Sequence, residues 1–406
     1  MLFYRTGVFM EDKKRISLKV LNRQKVYRYI YQHARENAQA SASEASGFPD
    51  DNELGVSRQQ ITYDLRLSLQ TVTQCLNDLL ASGKITEGNL AASTGGRPAV
   101  QYLFQKQARV AIGVEIRRSH FTAAASNLLG ELAYREEYRI PFSNQEDYYR
   151  QFCDKLLEFI DRVDVSAEKL LGISIALQAM INDDSGNISY AMLLQNGSFP
   201  LEYVRSRLPF PVHLIHDAEA AGMAEAYCQQ DREPALYLML NENLGSAFLL
   251  NGEVLHSSCL SSGTIEHMKL RPGGDTCYCG KHGCAECYCS AESLQKRSGR
   301  NTADFFEALR SGEKNASLLW AQYLTDLAAL IDNARMVIPC QIILGGVIES
   351  FLQESDLVFL KEKIRELSTY SQVPVQIIQS KVRDDAVLQG ATMHMLLSYL
   401  EQEELL

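Results

Sequence analysis

Apolar residues recur at helical spacing from Ser17 to Arg35. Leu18, Leu21, Val26 and Ile30 interleave there with Lys19, Arg23, Lys25 and Arg28, predicting a first helix. The following 36–56 stretch, rich in Ala, Ser, Asp and Glu and containing a proline, reads as a loop-like insertion. Two further helices are expected within 57–82. Ser57 caps one that carries Ile61 and Leu65; Ser68 caps the next, with Val72, Cys75, Leu76 and Leu79 on its buried face. Gly83 closes this pair, and Lys84-Ile85-Thr86 begins a hairpin with its tip at Thr94-Gly95-Gly96-Arg97-Pro98. From Arg109 the texture changes: the apolar runs VAIGVEI, LLGISIALQAM, VHLIHDA, ALYLMLN and QIILGGVI alternate with helical stretches, which predicts an α/β body.

A length of 406 residues calls for two or three domains rather than one core. With 46% apolar and 22% charged residues, the composition excludes extensive disorder. No stretch approaches the roughly 20 apolar residues that span a bilayer. The opening MLFYRTGVFMEDKKR lacks the apolar core and cleavage site of a secretory signal, so a cytoplasmic chain with reduced thiols and no membrane partner is expected. The net charge of −10 divides unevenly: residues 1–106 hold 14 Lys+Arg against 10 Asp+Glu, and the remainder holds 26 against 40. A basic head on an acidic body is compatible with nucleic acid at one end.

The short turn between the two Ser-capped helices fits a helix-turn-helix, whose second helix enters the major groove. Ser68, Gln70, Thr71, Thr73 and Gln74 lie near that helix's start and are the candidate DNA contacts. Gln70 and Gln74 are preferred because a glutamine amide can contact adenine through two hydrogen bonds. Arg97, at the tip of a glycine-rich wing, suits the negative potential of a narrow minor groove. A plain helical hairpin with a glycine-rich link would give the same local pattern.

The strongest chemical signal is GTIEHMKLRPGGDTCYCGKHGCAECYCS, in which Cys277, Cys279, Cys284, Cys287 and Cys289 follow His267. Thiolates and imidazole suit tetrahedral zinc, and a reducing compartment favours metal over disulfides. Spacing alone does not choose four ligands from these six, and a redox role for neighbouring thiols is the competing reading.

The head carries Asn22, Ser57-Arg58, Leu67-Ser68, Thr71-Val72, Leu79, Gly83 and Gly96-Arg97-Pro98 in an order that resembles the ROK family of repressors, open reading frames and kinases. Arg66 stands where that family has glycine, and Thr62 where it has a small alanine. The resemblance continues over 109–406, through Leu344-Gly345-Gly346 and the late Asp385-Ala386 to Gly390-Ala391 segment. It implies an N-terminal winged helix-turn-helix followed by a two-lobed actin-like, ribonuclease-H-like sugar-kinase fold. The expected domains are 1–106, with its insertion near 36–56, then lobes at 107–230 and 231–406.

The same resemblance implies that His267, Cys277, Cys279 and Cys284 hold a structural Zn2+. It also implies that His216, Asp217, His267 and Glu286 bind the effector, with Asp217 matching the catalytic aspartate of the kinases. Asp217 can equally be a helix N-terminal acid held by exposed amides. The kinase phosphate loops are altered: Glu115-Ile116-Arg117-Arg118 replaces one glycine-rich turn, and Asn241-Glu242-Asn243-Leu244-Gly245 replaces two glycines of another. His216 and Thr264 also depart from the family's sugar-contacting Asn and Glu, and Glu266 is a possible substitute. The implied protein is not an enzyme. It is a carbohydrate-linked transcriptional repressor that binds a palindromic double-stranded operator as a homodimer or higher oligomer, under a sugar-like effector. The alternatives are a sugar kinase with an appended head, or a repressor controlled by a protein partner.

Overall fold

The structure, a computed structural model, describes residues 17–41, 55–90, 99–181, 188–191, 199–229, 232–255, 263–383 and 385–405. The chain forms two compact units, one of Met1–Ala108 with Leu397–Leu406 and the other of Arg109–Leu396.

In the first unit, α1 (Leu18–Ser41) buries Val26, Tyr27, Ile30 and Tyr31. It extends six residues into the segment expected to be a loop. The sequence ENAQAS continues the helix because Glu, Ala and Gln are good helix formers, and Asn37 Nδ2 meets His33 Nδ1 one turn back at 3.1 Å. The rest of that insertion, 42–54, lies outside the described residues, as does the wing tip with Arg97. Next come β1 (Val56–Ser57), α2 (Arg58–Leu65), α3 (Leu69–Ala81), β2 (Ile85–Leu90) and β3 (Val100–Phe104). The strands make an antiparallel sheet in the order β1-β3-β2. Phe104 packs against the rings of Tyr27 and Tyr31, with centroids 5.6 and 5.2 Å away. The end of the chain belongs to this unit too: the Arg28 guanidinium donates to the Glu404 carbonyl, and Lys84 pairs with Glu403.

The second unit repeats one strand order twice. β4 (Val110–Ile116), β5 (Phe121–Asn127) and β6 (Leu132–Tyr138) form an antiparallel meander. After α4 (Glu146–Val163), β7 (Leu170–Leu177) joins β4 in parallel. A small ribbon of β8 (Ala179–Ile181) and β9 (Ile188–Ala191) and the short α5 (Leu201–Arg207) precede β10 (Val212–His216), which extends the sheet in parallel. The connecting helix is α6 (Asp217–Cys228). The second sheet then uses β11 (Ala235–Leu240), β12 (Leu244–Leu250) and β13 (Glu253–Val254) as its meander.

Helices α7 (Glu286–Cys289), α8 (Ala291–Ser298), α9 (Thr302–Arg310) and α10 (Lys314–Val337) intervene before β14 (Gln341–Gly345). The chain continues through α11 (Glu354–Leu367), β15 (Ile377–Gln379) and α12 (Ala386–Gln402). Both sheets therefore run third, second, first, fourth, fifth: β6-β5-β4-β7-β10 and β13-β12-β11-β14-β15.

Every residue of β4 and of β11 is buried, as expected for central strands covered on both faces. Helix α6 touches strands of both sheets, and Gly390 lets α12 cross it closely, because a Cβ at this position would collide with the Ala220 carbonyl. The glycine in the late segment is thus a contact point between helices.

Candidate functional site

In the head, both predicted serine caps form. Ser57 Oγ accepts from Gln60 N at 3.2 Å and Ser68 Oγ from Thr71 N at 3.1 Å, filling otherwise open amides at the starts of α2 and α3. Arg66 closes α2 in the left-handed region at φ 53°, the conformation for which glycine is the usual choice. Thr62 donates to the Arg58 carbonyl at 2.7 Å, so its hydroxyl is satisfied within its own helix.

The candidate reading residues divide by how their polar groups are used. Ser68 and Thr71 hydroxyls meet at 2.8 Å, and Thr73 donates to the Leu69 carbonyl at 2.7 Å while accepting from Arg58. Gln70 and Gln74 are exposed on the same helix. Tyr63 on α2 and Leu69 on α3, 84% and 51% exposed, add apolar surface to the head.

In the body, His267, Cys277, Cys279 and Cys284 converge, with one donor atom from each lying within 4.8 Å of all the others. Cys277 Sγ is 3.7 Å from His267 Nδ1, and Cys279 Sγ is 3.7 Å from Cys284 Sγ. Metal–donor bonds of about 2.3 Å to sulfur and 2.0–2.1 Å to nitrogen place tetrahedral donor atoms roughly 3.6–3.8 Å apart, so this set fits such an ion. Local sequence builds the arrangement. Cys277 N donates to the Lys281 carbonyl at 2.7 Å, and Gly280 N closes a turn on the Cys277 carbonyl at 2.9 Å. Gly283 adopts φ 75°, where a Cβ would strike the Arg271 carbonyl.

Burial pushes the Cys277 thiol up. At Cys279 burial acts the same way, but the Lys281 amide and hydrogen bonds from Cys277 and Cys284 outweigh it and bring that thiol down. Lys269 Nζ lies 2.8 Å from Cys284 Sγ and would offset the residual negative charge of three thiolates on a divalent ion. The two remaining thiols do different things. Cys289 is fully buried in the hydrophobic core, and Cys287 contacts the Asp275 carbonyl at 3.7 Å.

Beside the four converging donors opens a small cleft lined by Gln178, His216, Asp217, Asn243, Glu266, His267 and Tyr278 together with apolar neighbours. His216 ends β10 and Asp217 begins α6, so the strand-to-helix turn delivers both side chains. Asp217 Oδ1 accepts from Ala218 N at 2.8 Å and lies 3.6 Å from His216 Nε2. Asp217 thus both accepts an amide at the start of α6 and lines the cleft.

Glu266 is only 5% exposed; burial pushes its carboxyl up to about 7 against the pull of His216. Glu286, expected among the effector contacts, is not one of the residues lining this cleft. Its Oε1 accepts from Asn243 Nδ2 at 2.9 Å and its Oε2 from Leu244 N at 2.7 Å, so it braces the neighbouring turn.

That turn is the altered phosphate-loop segment. Besides Leu244 N, its Asn241 side chain accepts from Val347 N at 2.8 Å, and its Asn241 and Glu242 carbonyls accept from Ala291 N and Glu292 N. A phosphate cradle needs free backbone amides. Here the Leu244 amide is already committed to Glu286. At the other altered turn, buried Glu115 pairs with Arg117 Nε at 2.7 Å. Burial pushes Glu115 up, and the adjacent guanidinium partly reverses this.

The cleft also contains residues that the sequence did not single out. Gln178 directly follows β7, and strand C-terminal ends commonly supply ligand contacts in α/β proteins. Tyr278 sits between two metal-site cysteines, and its hydroxyl is 3.4 Å from Gln178 Nε2. Its place between Cys277 and Cys279 was the available local signal.

Two lobes with the same strand order, a cleft carrying an acid at a helix start and a thiolate–imidazole cluster define an actin-like, sugar-kinase-type body; an N-terminal helical head precedes it. The chain belongs to the ROK family, whose profile matches residues 111–396. Over 245 residues it is 28% identical to the DNA-binding transcriptional dual regulator NagC of Escherichia coli K12, covering 60% of each chain. A solved ROK family transcriptional regulator, described as a homologue of the E. coli Mlc protein, superposes with a TM-score of 0.69 at 21% identity, covering 96% of this chain and 98% of that one. A ROK family glucokinase from Streptomyces griseus, solved with glucose and AMPPNP, superposes with a TM-score of 0.61 at 18% identity over 70% of this chain and 98% of that one.

Proposed function

We propose that the protein is a transcriptional repressor that binds operator DNA through α3 and senses a sugar or related small molecule in the cleft of its body. The observation that carries this reading is the capped α2–α3 pair, which leaves Gln70 and Gln74 exposed at the start of the second helix. Residues 1–106 form the DNA-binding domain, with Leu397–Leu406 in the same unit, 107–230 and 231–396 the two lobes, and Arg97 the wing contact. His216, Asp217 and His267 contact the effector. His267, Cys277, Cys279 and Cys284 hold a structural Zn2+, and the protein acts in the cytoplasm as a homodimer or higher oligomer on a palindromic site. Two symmetry-related recognition helices match a two-fold operator.

Catalysis is absent in this reading because the altered turns offer the phosphates of a nucleotide a committed amide at Leu244 and the carboxylates Glu115 and Glu242. A sugar kinase with an appended head is the second reading, favoured by Asp217 facing the cleft. Operator fragments selected from random duplex DNA test the proposal. Gln74→Ala is expected to weaken binding to the selected site by about 1–3 kcal/mol and relax preference at one base pair, at fixed salt. Failure to select any site, together with Asp217-dependent phosphorylation of a sugar by ATP, would establish the kinase instead.

A further inference from the structure

Another pocket of the body shares no lining residue with the cleft and lies between the last turns of α10 and α11 and the 371–375 segment that leads into β15. Three cations line it, Arg335, Lys361 and Arg365, against one carboxylate, Glu362. None of the three forms a salt bridge among the described residues, and the next acid along α11, Glu366, is taken by Lys363 at 2.6 Å. The Arg335 guanidinium is under-used: its Nε is buried with no hydrogen-bond partner, and its Nη2 reaches the Pro374 carbonyl only at 3.4 Å. Buried N–H groups are seldom left without an acceptor. Nε and Nη2 form one edge of the guanidinium fork, an edge that matches the two oxygens of a carboxylate. Ser368 Oγ, also in the lining, accepts from Tyr370 N at 3.2 Å and keeps its own proton for another acceptor. Val373, Pro374 and Val375 supply an apolar wall.

Cations in the last turn of a helix also offset its carbonyl end, and Arg335 and Arg365 are so placed. That role accounts neither for Lys361, more than a turn before the end of α11, nor for the unpartnered Nε. The same carbonyl ends limit the charge the pocket can take, because they repel a dianion more than a monoanion. We propose that this pocket binds a small organic monocarboxylate. Its carboxylate is received by Arg335, with Lys361 and Arg365 beside it, and its apolar body lies on Val373, Pro374 and Val375. A phosphate dianion would bring more charge to the two helix ends and no apolar surface to the wall.

The test uses the full-length metal-loaded protein and isothermal titration at fixed salt, with hexanoate and benzoate as probes and hexan-1-ol and inorganic phosphate as comparisons. At least one carboxylate is expected to bind roughly tenfold or more tightly than either comparison. The double substitution Lys361→Ala with Arg365→Ala should weaken it about 10- to 100-fold while the melting curve is maintained. Arg335→Lys, which keeps the charge but loses the fork, should weaken it about tenfold. If Arg335→Lys fails to fold, the double substitution decides alone. Carboxylate binding that survives the double substitution overturns the proposal, as does phosphate or hexan-1-ol binding as tightly as the carboxylates. Binding of neither carboxylate overturns it too. None of these outcomes touches the DNA-binding or effector readings of the head and the cleft.

Discussion

The metal loop and the turn at 241–245 meet the same cleft, but their backbones serve opposite ends. In the loop, glycines and amides fold the chain back so that four soft donors face one point. In the turn, Glu286 and the amides of Val347, Ala291 and Glu292 take up polar groups of the chain itself. One segment concentrates unused donor capacity and the other consumes it. Two neighbouring segments of one cleft thus differ in what their backbones have left to offer a guest.

The largest expected effect comes from the loop. Cys284→Ala, or stripping the metal with a chelator, should lower the melting temperature by more than about 10 °C, because binding at a structural zinc site contributes directly to folding. Metal analysis alongside calorimetry checks this, and an unchanged melting curve would show that the four donors do not organise the loop through an ion. A smaller effect should follow at the turn. Glu286→Ala leaves the Leu244 amide and Asn243 side chain without their buried acceptor, so a loss of about 1–3 kcal/mol is expected in denaturant unfolding at constant metal content.

The smallest effect concerns Glu115. Its folded carboxyl is raised, so the folded state holds the proton more tightly than the unfolded chain. The associated stability is present below the ordinary carboxylate range and declines as pH rises through and above it. Glu115→Gln should therefore flatten the pH dependence of unfolding above about pH 4.5. Parallel curves for the two proteins would sink this assignment.

The features that sequence revealed were those whose chemistry is local. Ser57 and Ser68 announce their helix starts because each cap acts within three residues, and the clustered cysteines announce a candidate metal loop because Cys277, Cys279 and Cys284 share one tight turn. The two matching strand orders leave no visible sequence repeat because topology depends on pairing partners, while different apolar residues can fill equivalent strands. Glu266 was ambiguous for a related reason. Whether an acid beside His267 faces a cleft or solvent depends on Ser246, Gly263 and His216, which come from other parts of the body unit. That Glu286 braces a turn could not be read from the sequence, because the amide it accepts from lies 42 residues earlier in the chain. Helix α1 overran its predicted end because composition suggested a loop, whereas its Ala, Glu and Gln residues could continue the helix.

His267 gives the metal loop one more consequence. Its Nδ1 faces Cys277 while the ring also lines the cleft. An ion held at Nδ1 would fix the imidazole tautomer, leaving Nε2 with the proton and therefore able to donate but not accept. The ion would write one letter of the cleft's hydrogen-bond alphabet without entering the cleft. Gain or loss of the metal would change which ligand atom that ring can greet.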